Sequence, residues 1–96
     1  MAFVVRATDR AGALEIRKAN REAHLEFLKA AGDRLLLAGP LLTGAGEMAG
    51  SLLIVDFDTA AAVTEWLAAD PYSNAGLFES VEITGFKPVL ANFPAQ

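Results

Sequence analysis

The 96-residue chain has no cysteine and only one histidine. Without cysteine it can form no disulfide, no thiolate metal site and no cysteine nucleophile. One histidine among scattered carboxylates also gives no recognisable metal-ligand spacing. We therefore predict no metal site, and chemistry that uses no cofactor.

The sequence also lacks a basic cluster and a long apolar run. Its net charge is −4, whereas nucleic-acid binding relies on grouped Lys and Arg, so no nucleic-acid partner is expected. No apolar run approaches the ~18 residues of a membrane-spanning helix, so no membrane partner is expected either. The chain enters an apolar run at residues 3–5 without a basic segment before it, which predicts an unexported, cytoplasmic protein.

What the chain has in abundance is apolar side chains, which make up 53% of its residues. Its length suits one domain, and we predict a single domain over residues 1–96. A domain of this size buries a small core relative to its surface. Part of the apolar content is therefore expected to be covered by a partner subunit.

The apolar patterns predict four strands and two helices in the order β-α-β-β-α-β. The strands are predicted at 3–8, at 34–38 with a continuation to 42, at 51–57, and within 78–89; the helices are predicted at 13–31 and 59–69. A glycine-rich hairpin loop is expected at 43–50, and no pattern is found in the tail through Gln96.

Several local signals refine the two predicted helices. Asp58 is expected to cap the start of the second helix, and Pro71 to end it before a turn at 74–76. His24 is expected on the flank of the first helix's apolar face, half in a pocket at the rim of the sheet. The residues predicted to form that apolar face are Ile16, Asn20, Ala23, Phe27 and Ala31.

This element order predicts an α+β ferredoxin-like βαββαβ fold, an antiparallel sheet with helices on one face. In that topology the first and third strands are central, and their runs at 3–5 and 52–55 are apolar on both faces. A sheet with one solvated face would alternate apolar and polar residues. We therefore predict that two copies pack sheet against sheet in a dimeric α+β barrel, with further assembly left open.

Two residues stand out as candidates for proton transfer, namely His24 and Asp70. His24 carries the only side chain whose ordinary pKa lies near neutrality. Asp70 follows the second predicted helix and precedes a proline, a context that also occurs in ordinary turns. If the carboxylate bound one ring nitrogen, the other nitrogen would be available to exchange a proton.

The glycine-rich segment at 43–50 does not indicate phosphate binding. Its spacing is GxGxxxG, it lies between two strands rather than between a strand and a helix, and it lacks the ending of a P-loop. No serine lies in a nucleophile-elbow motif.

Three elements of the sequence resemble the YCII-related family: His24 in the first helix, Gly39-Pro40 after the second strand, and the run Asp70-Pro71-Tyr72. The resemblance covers roughly residues 3–88. It implies a dimeric α+β barrel whose active site contains His24 and Asp70. The family includes a dehydrochlorinase that acts on a chlorinated hydroquinone, and similar barrels include muconolactone isomerases.

Three further residues are candidates for contacting a substrate: Arg6, Tyr72 and Ser73. Tyr72 and Ser73 directly follow Asp70, although Tyr72 could instead cover the end of the second helix. Arg6 lies among apolar residues of the first strand, where an unpaired buried charge is unfavourable. It is expected to serve Asp70 or an anionic ligand, or else to point to solvent or to the subunit boundary.

The leading hypothesis is a small-molecule lyase or isomerase in which His24 is the general acid and base. The alternatives are a non-catalytic module that binds a metabolite in the same pocket, and a scaffold whose apolar surface serves assembly. A cofactor-free monooxygenase is a further alternative by analogy of fold alone.

Overall fold

The computed structural model describes residues 1–93, and residues 94–96 of the predicted tail lie outside that part. The element order is the predicted one with two short additions, a 3₁₀ turn and a third helix. The elements are β1 (Ala2–Asp9), α1 (Leu14–Ala30), the 3₁₀ turn (Gly32–Arg34), β2 (Leu35–Leu42), β3 (Met48–Asp56), α2 (Ala60–Leu67), α3 (Pro71–Asn74) and β4 (Phe78–Phe86).

The four strands form one antiparallel sheet in the order β2-β3-β1-β4. β1 and β3 are central, as the apolar runs predicted. Phe3, Val5 and Ala7 of β1 are buried, and the helices pack on the sheet face that these side chains share. The structure confirms the predicted ferredoxin-like α+β fold.

The core lies between the helices and this face of the sheet. Val63 and Leu67 of α2 and Leu28 of α1 meet the buried side chains of β1 and β3. Because successive strand residues point to opposite faces, every second residue of the central strands enters this core. The buried residues of the cluster are Phe3, Val5, Leu28, Leu53, Val55, Phe57, Val63 and Leu67.

The opposite face of the sheet has no helix over it, and we call it the open face. On this face the strand register pairs Val4 of β1 with Ile54 of β3, and Leu52 of β3 lies next to them, opposite Arg6. Leu37 and Leu41 of β2 extend the same apolar surface. None of these five apolar residues is fully buried.

Two strand boundaries differ from the sequence prediction. β2 runs without interruption through Gly39 and Pro40; as an edge strand it tolerates a residue without an N–H group. β3 begins at Met48 rather than at residue 51. The hairpin loop is correspondingly shorter, closed by the Thr43 N–H donating to the Glu47 carbonyl at 2.8 Å.

The predicted buried face of the first helix is wrong by about one residue's rotation. Arg17, His24 and Leu28 are the buried residues of α1, whereas Ile16 is 39% exposed. Ala23 is exposed as well. The apolar pattern misled because one long polar side chain, Arg17, finds hydrogen-bond partners inside the fold.

The predicted cap of the second helix is also wrong. The cap is Thr59, whose Oγ1 accepts from the Ala62 N–H at 3.1 Å, rather than Asp58. Both residue types are favoured at this position. Within residues 1–93, none of the helices has the length and apolarity needed to cross a lipid bilayer.

A close approach of β1 and β3 requires glycine at position 50. A Cβ atom at Gly50 would collide with the backbone carbonyl oxygen of Ala7 and press on the Leu41 side chain. We expect Gly50→Ala to lower the free energy of unfolding by about 1–3 kcal/mol, since the central strands must separate to make room. Urea denaturation measures this. Gly44→Ala is the control, because no atom lies within 4 Å of its added Cβ; equal stability of the two variants would contradict the prediction.

Candidate active site

The structure brings His24 and Asp70 together. His24 Nδ1 lies 2.8 Å from Asp70 Oδ1, and the two residues are only 6% and 1% exposed. A carboxylate can only accept, so the Nδ1–H is the donor. Nε2 is thereby left as the ring nitrogen that can take up a proton.

Asp70 has a second structural task that the sequence did not reveal. Helix α2 ends at Leu67, and Asp70 caps the start of α3 rather than simply following α2. Its Oδ1 also accepts from the Tyr72 backbone N–H at 2.9 Å. Pro71, which was predicted to end the second helix, instead lies in the first turn of α3, where its missing N–H costs nothing.

The two carboxylate oxygens of Asp70 differ in their hydrogen bonding. Oδ2 is the one buried side-chain polar atom without a hydrogen-bond partner in the part of the chain that the structure describes. A buried oxygen left unpaired is unfavourable by about 1–3 kcal/mol. Such unsatisfied groups in native proteins call for an explanation, and a role in catalysis is one of those available.

Tyr72 holds the imidazole from one side. The two rings stack with centroids 3.8 Å apart and planes inclined by 14°. The guanidinium group of Arg17 also lies over the phenol ring, with its carbon 4.6 Å from the ring centroid. The aromatic ring thus contacts both a permanent cation and the histidine.

Arg17 is itself fixed by a buried hydrogen-bonded network. Its Nε and Nη2 donate to both carboxylate oxygens of Asp9 at 2.7 and 2.8 Å, and Nη2 also donates to Ser51 Oγ at 2.9 Å. Burial alone would lower the pKa of Arg17, but the hydrogen bond and the charge of Asp9 outweigh it and raise the pKa above its ordinary value. The guanidinium remains charged, and its charge is matched by Asp9.

A cavity of about 150 Å³ opens beside these groups. Its polar wall is formed by Arg17, Arg21, His24, Ser51 and Tyr72, and no acidic side chain lines it. The remaining wall is apolar or backbone. Those other lining residues are Leu25, Leu28, Ala38, Gly39, Pro40 and Met48.

The remaining sequence candidates lie elsewhere. Ser73 and Asp70 border a much smaller void of about 10 Å³ and do not line the cavity beside His24 and Arg17. Arg6 is exposed and lies on the open face, opposite Glu82 of β4. Since alternate residues of β1 face opposite sides of the sheet, Arg6 is not brought to Asp70. Of the three further candidates, only Tyr72 lines the cavity beside His24.

Sequence reasoning overlooked Arg17, Asp9 and Ser51. One signal was present, because Arg17, Arg21 and His24 are spaced by four and three residues, which places them along one face of a helix. Asp9 and Ser51 had no such signal, since their contacts depend on how β1 and β3 pack under α1.

The environment of Tyr72 leads to a pH-dependent stability. Burial raises the pKa of Tyr72 above its ordinary value of 10, while the charges of Arg17 and Arg21 oppose part of the rise. The folded protein therefore favours the neutral phenol. This contribution to stability is fully present below pH 10 and is lost as the pH rises through the higher pKa of the folded state.

We expect the free energy of unfolding of the wild type, relative to Tyr72→Phe, to fall as the pH rises beyond 10. Urea denaturation of both proteins across this range measures the difference. Because the chain has one tyrosine, phenolate absorbance reports the same group directly. Identical titration curves for the folded and the urea-unfolded chain would contradict the expectation.

Comparison with known proteins places the chain in a family. A model of the YCII-related domain matches residues 1–87. Protein YciI of Escherichia coli O6:H1 (strain CFT073) is 40% identical, over 94% of this chain and 100% of that protein. At 14% identity, PA3566 from Pseudomonas aeruginosa has a TM-score of 0.56 over 93% of each chain, which shows the fold alone.

A solved structure with higher similarity is that of 5-chloro-2-hydroxyhydroquinone dehydrochlorinase (TftG) from Burkholderia phenoliruptrix AC1100, in complex with 2,5-dihydroxybenzoquinone. It is 33% identical with a TM-score of 0.85, covering 91% of this chain and 94% of that one. The resemblance noted in the sequence is confirmed, and this chain belongs to the YCII-related family.

Proposed function

We propose that this protein is an enzyme that moves a proton on a small hydroxylated ring, with His24 as the general acid and base and Asp70 as its orienting partner. The observation that carries this proposal is the buried hydrogen bond between His24 and Asp70 at the wall of the 150 Å³ cavity. A histidine with one nitrogen held by a carboxylate has a defined tautomer, which a base requires.

The cavity volume favours a ligand with a single six-membered ring. An enclosed cavity of roughly 150 Å³ accommodates benzene in another protein. The apolar part of the wall, including Leu25, Leu28 and Met48, suits the body of such a ring. The polar wall presents hydrogen-bonding groups to its substituents, as is usual in small-molecule sites.

The proposed chemistry needs only proton transfers. Nε2 of His24 accepts the proton of a ring hydroxyl, the freed electron pair forms a carbonyl, and the imidazolium returns this proton to a carbon of the ring. The imidazolium formed meanwhile is stabilised by Asp70 through the Nδ1–H. When that carbon also bears chlorine, a second ring hydroxyl gives its proton to His24 and its electron pair forms a second carbonyl. The ring double bond shifts toward the chlorinated carbon, which keeps its hydrogen, and chloride departs with its bonding pair. The net change is loss of HCl, with no external oxidant.

The dehydrochlorinase of the same family supports this reaction class. That protein is named for the removal of chlorine and hydrogen from a chlorinated hydroxyhydroquinone. We therefore take 5-chloro-2-hydroxyhydroquinone as the first compound to test on this chain.

With that compound, we expect His24→Gln to lower kcat by about 10²–10⁴-fold, because the general acid and base is lost. Asp70→Asn should lower kcat by a smaller factor, because His24 remains but the asparagine amide does not fix its tautomer. The fold should survive, since asparagine can still cap α3. Chloride release measures turnover. The ring ¹⁵N signals of the only histidine should show a proton on Nδ1 in the wild type and mixed tautomers in Asp70→Asn.

Glu22→Gln is the control, an exposed change two residues from His24 on the outer side of α1. It should leave both measurements unaltered. Full activity in His24→Gln would refute the role of the histidine. Tight binding of the ring without any turnover by the wild type would instead favour a non-catalytic binding module.

We also propose that two copies associate through their open faces. Val4, Leu52 and Ile54 form an apolar surface, bordered by Arg6, that the helices of their own chain do not cover. Large exposed apolar patches are rare in monomeric proteins. A second sheet packed on this face would complete a barrel and leave both cavities, on the helix side, open to ligand.

Ile54→Lys should convert the dimer to a monomer, because it places a charge in the centre of that interface. Sedimentation velocity distinguishes the two states. Ile16→Lys introduces the same charge on the exposed side of α1 and should remain dimeric. A monomeric wild type, or an unaffected Ile54→Lys, would rule out this mode of assembly.

A further inference from the structure

One cation at the cavity has no assigned task in the acid–base scheme. Arg21 lines the cavity, lies between Arg17 and His24 along α1, and is exposed to solvent. The four ion pairs found within residues 1–93 do not include it. Its guanidinium is therefore available at the mouth of the site.

The two arginines of the cavity differ in their electrostatic state. Arg17 is buried and held by both oxygens of Asp9, so its charge is matched within the protein. No Asp or Glu lines the cavity, and Asp70 is engaged by His24. The uncompensated positive charge at the cavity is that of Arg21.

The field of Arg21 reaches a phenol in the cavity wall. Against the effect of burial, which raises the pKa of Tyr72, the charge of Arg21 acts to lower it. A phenolic or carboxylic oxygen on a ring inside the cavity would experience a similar attraction as an anion, since the site is shielded from water on its apolar side.

We propose that the cavity selects a monocyclic ring bearing an anionic oxygen, either a carboxylate or an ionised hydroxyl, and that Arg21 is the residue that binds this oxygen. The inference rests on the proposed function, because it takes the same cavity as the ligand site, and it adds the charge of the ligand. A guanidinium at the mouth can pair with two oxygens at once. The ring would then lie inward, alongside His24.

The test compares 4-hydroxybenzoate with 4-hydroxybenzamide, two rings of the same shape that differ in charge. Isothermal titration should show the wild type binding the benzoate about five- to tenfold more tightly, a typical effect for a charge-assisted pair at a partly exposed site. Arg21→Gln should abolish this preference, and added salt should reduce it in the wild type. Shifts of the His24 and Tyr72 ring signals confirm that the ligand occupies the cavity.

A third probe, 2,5-dihydroxybenzoquinone, carries ionised hydroxyl groups and no carboxylate. Weaker binding of this compound by Arg21→Gln with no change for 4-hydroxybenzoate would support the proposal and identify the ionised hydroxyl as the group recognised. Weaker binding of 4-hydroxybenzoate by Arg21→Gln with no change for 2,5-dihydroxybenzoquinone would support the proposal and identify the carboxylate as the group recognised.

Lys18→Gln is the matched control, since it removes one positive charge from the same helix at a position outside the cavity lining. It should keep the preference for the benzoate. Equal binding of both benzoic compounds by the wild type, together with unchanged binding of 2,5-dihydroxybenzoquinone by Arg21→Gln and ring signals that still shift, would overturn the role of Arg21 and leave the proposed function standing. Failure of all three rings to bind the wild type would overturn both.

Discussion

One carboxylate oxygen, Oδ1 of Asp70, connects the parts of the site. It accepts the Tyr72 backbone N–H, which starts the short helix α3, and it accepts the Nδ1–H of His24, which fixes the imidazole. The same atom therefore positions the backbone of Tyr72 and orients the imidazole of His24, which stacks on the Tyr72 ring. Because α3 packs against α1, this contact also holds together two segments that are 46 residues apart in sequence.

A second layer of polar contacts supports the first. Asp9 and Ser51 hold Arg17 from the sheet, and the Arg17 guanidinium lies over the Tyr72 ring. A buried ion pair such as Arg17–Asp9 contributes little to stability compared with apolar packing. Removing one partner, however, typically lowers the free energy of unfolding by about 3–5 kcal/mol, since it leaves an uncompensated charge inside the protein. The arrangement thus gives rigidity to the aromatic ring and, through it, to His24. A histidine held on two sides is pre-organised for proton transfer.

The sequence sufficed for the fold, and its resemblance to the YCII-related family pointed to the pair of His24 and Asp70, but neither revealed the network behind that pair. The order of the strands follows from apolar runs that report local burial, and His24 and Asp70 were recognisable as the residues with acid–base potential. The burial of Arg17 was not predictable, because a long charged side chain normally lies at the surface. Its burial depends on Asp9, which another element supplies. Arg6 was placed among apolar neighbours correctly, yet the alternation of β1 points it to the open face, away from the site.

Pro40 belongs both to the cavity wall and to the outer strand β2. A proline on an edge strand leaves that edge one hydrogen-bond donor short, and β2 carries two register shifts against β3 in addition. Natural sheets use such interruptions to prevent other chains from adding a strand. The residue that lines the cavity therefore also disfavours the addition of a strand along β2, and this leaves the open face as the surface for the association proposed above.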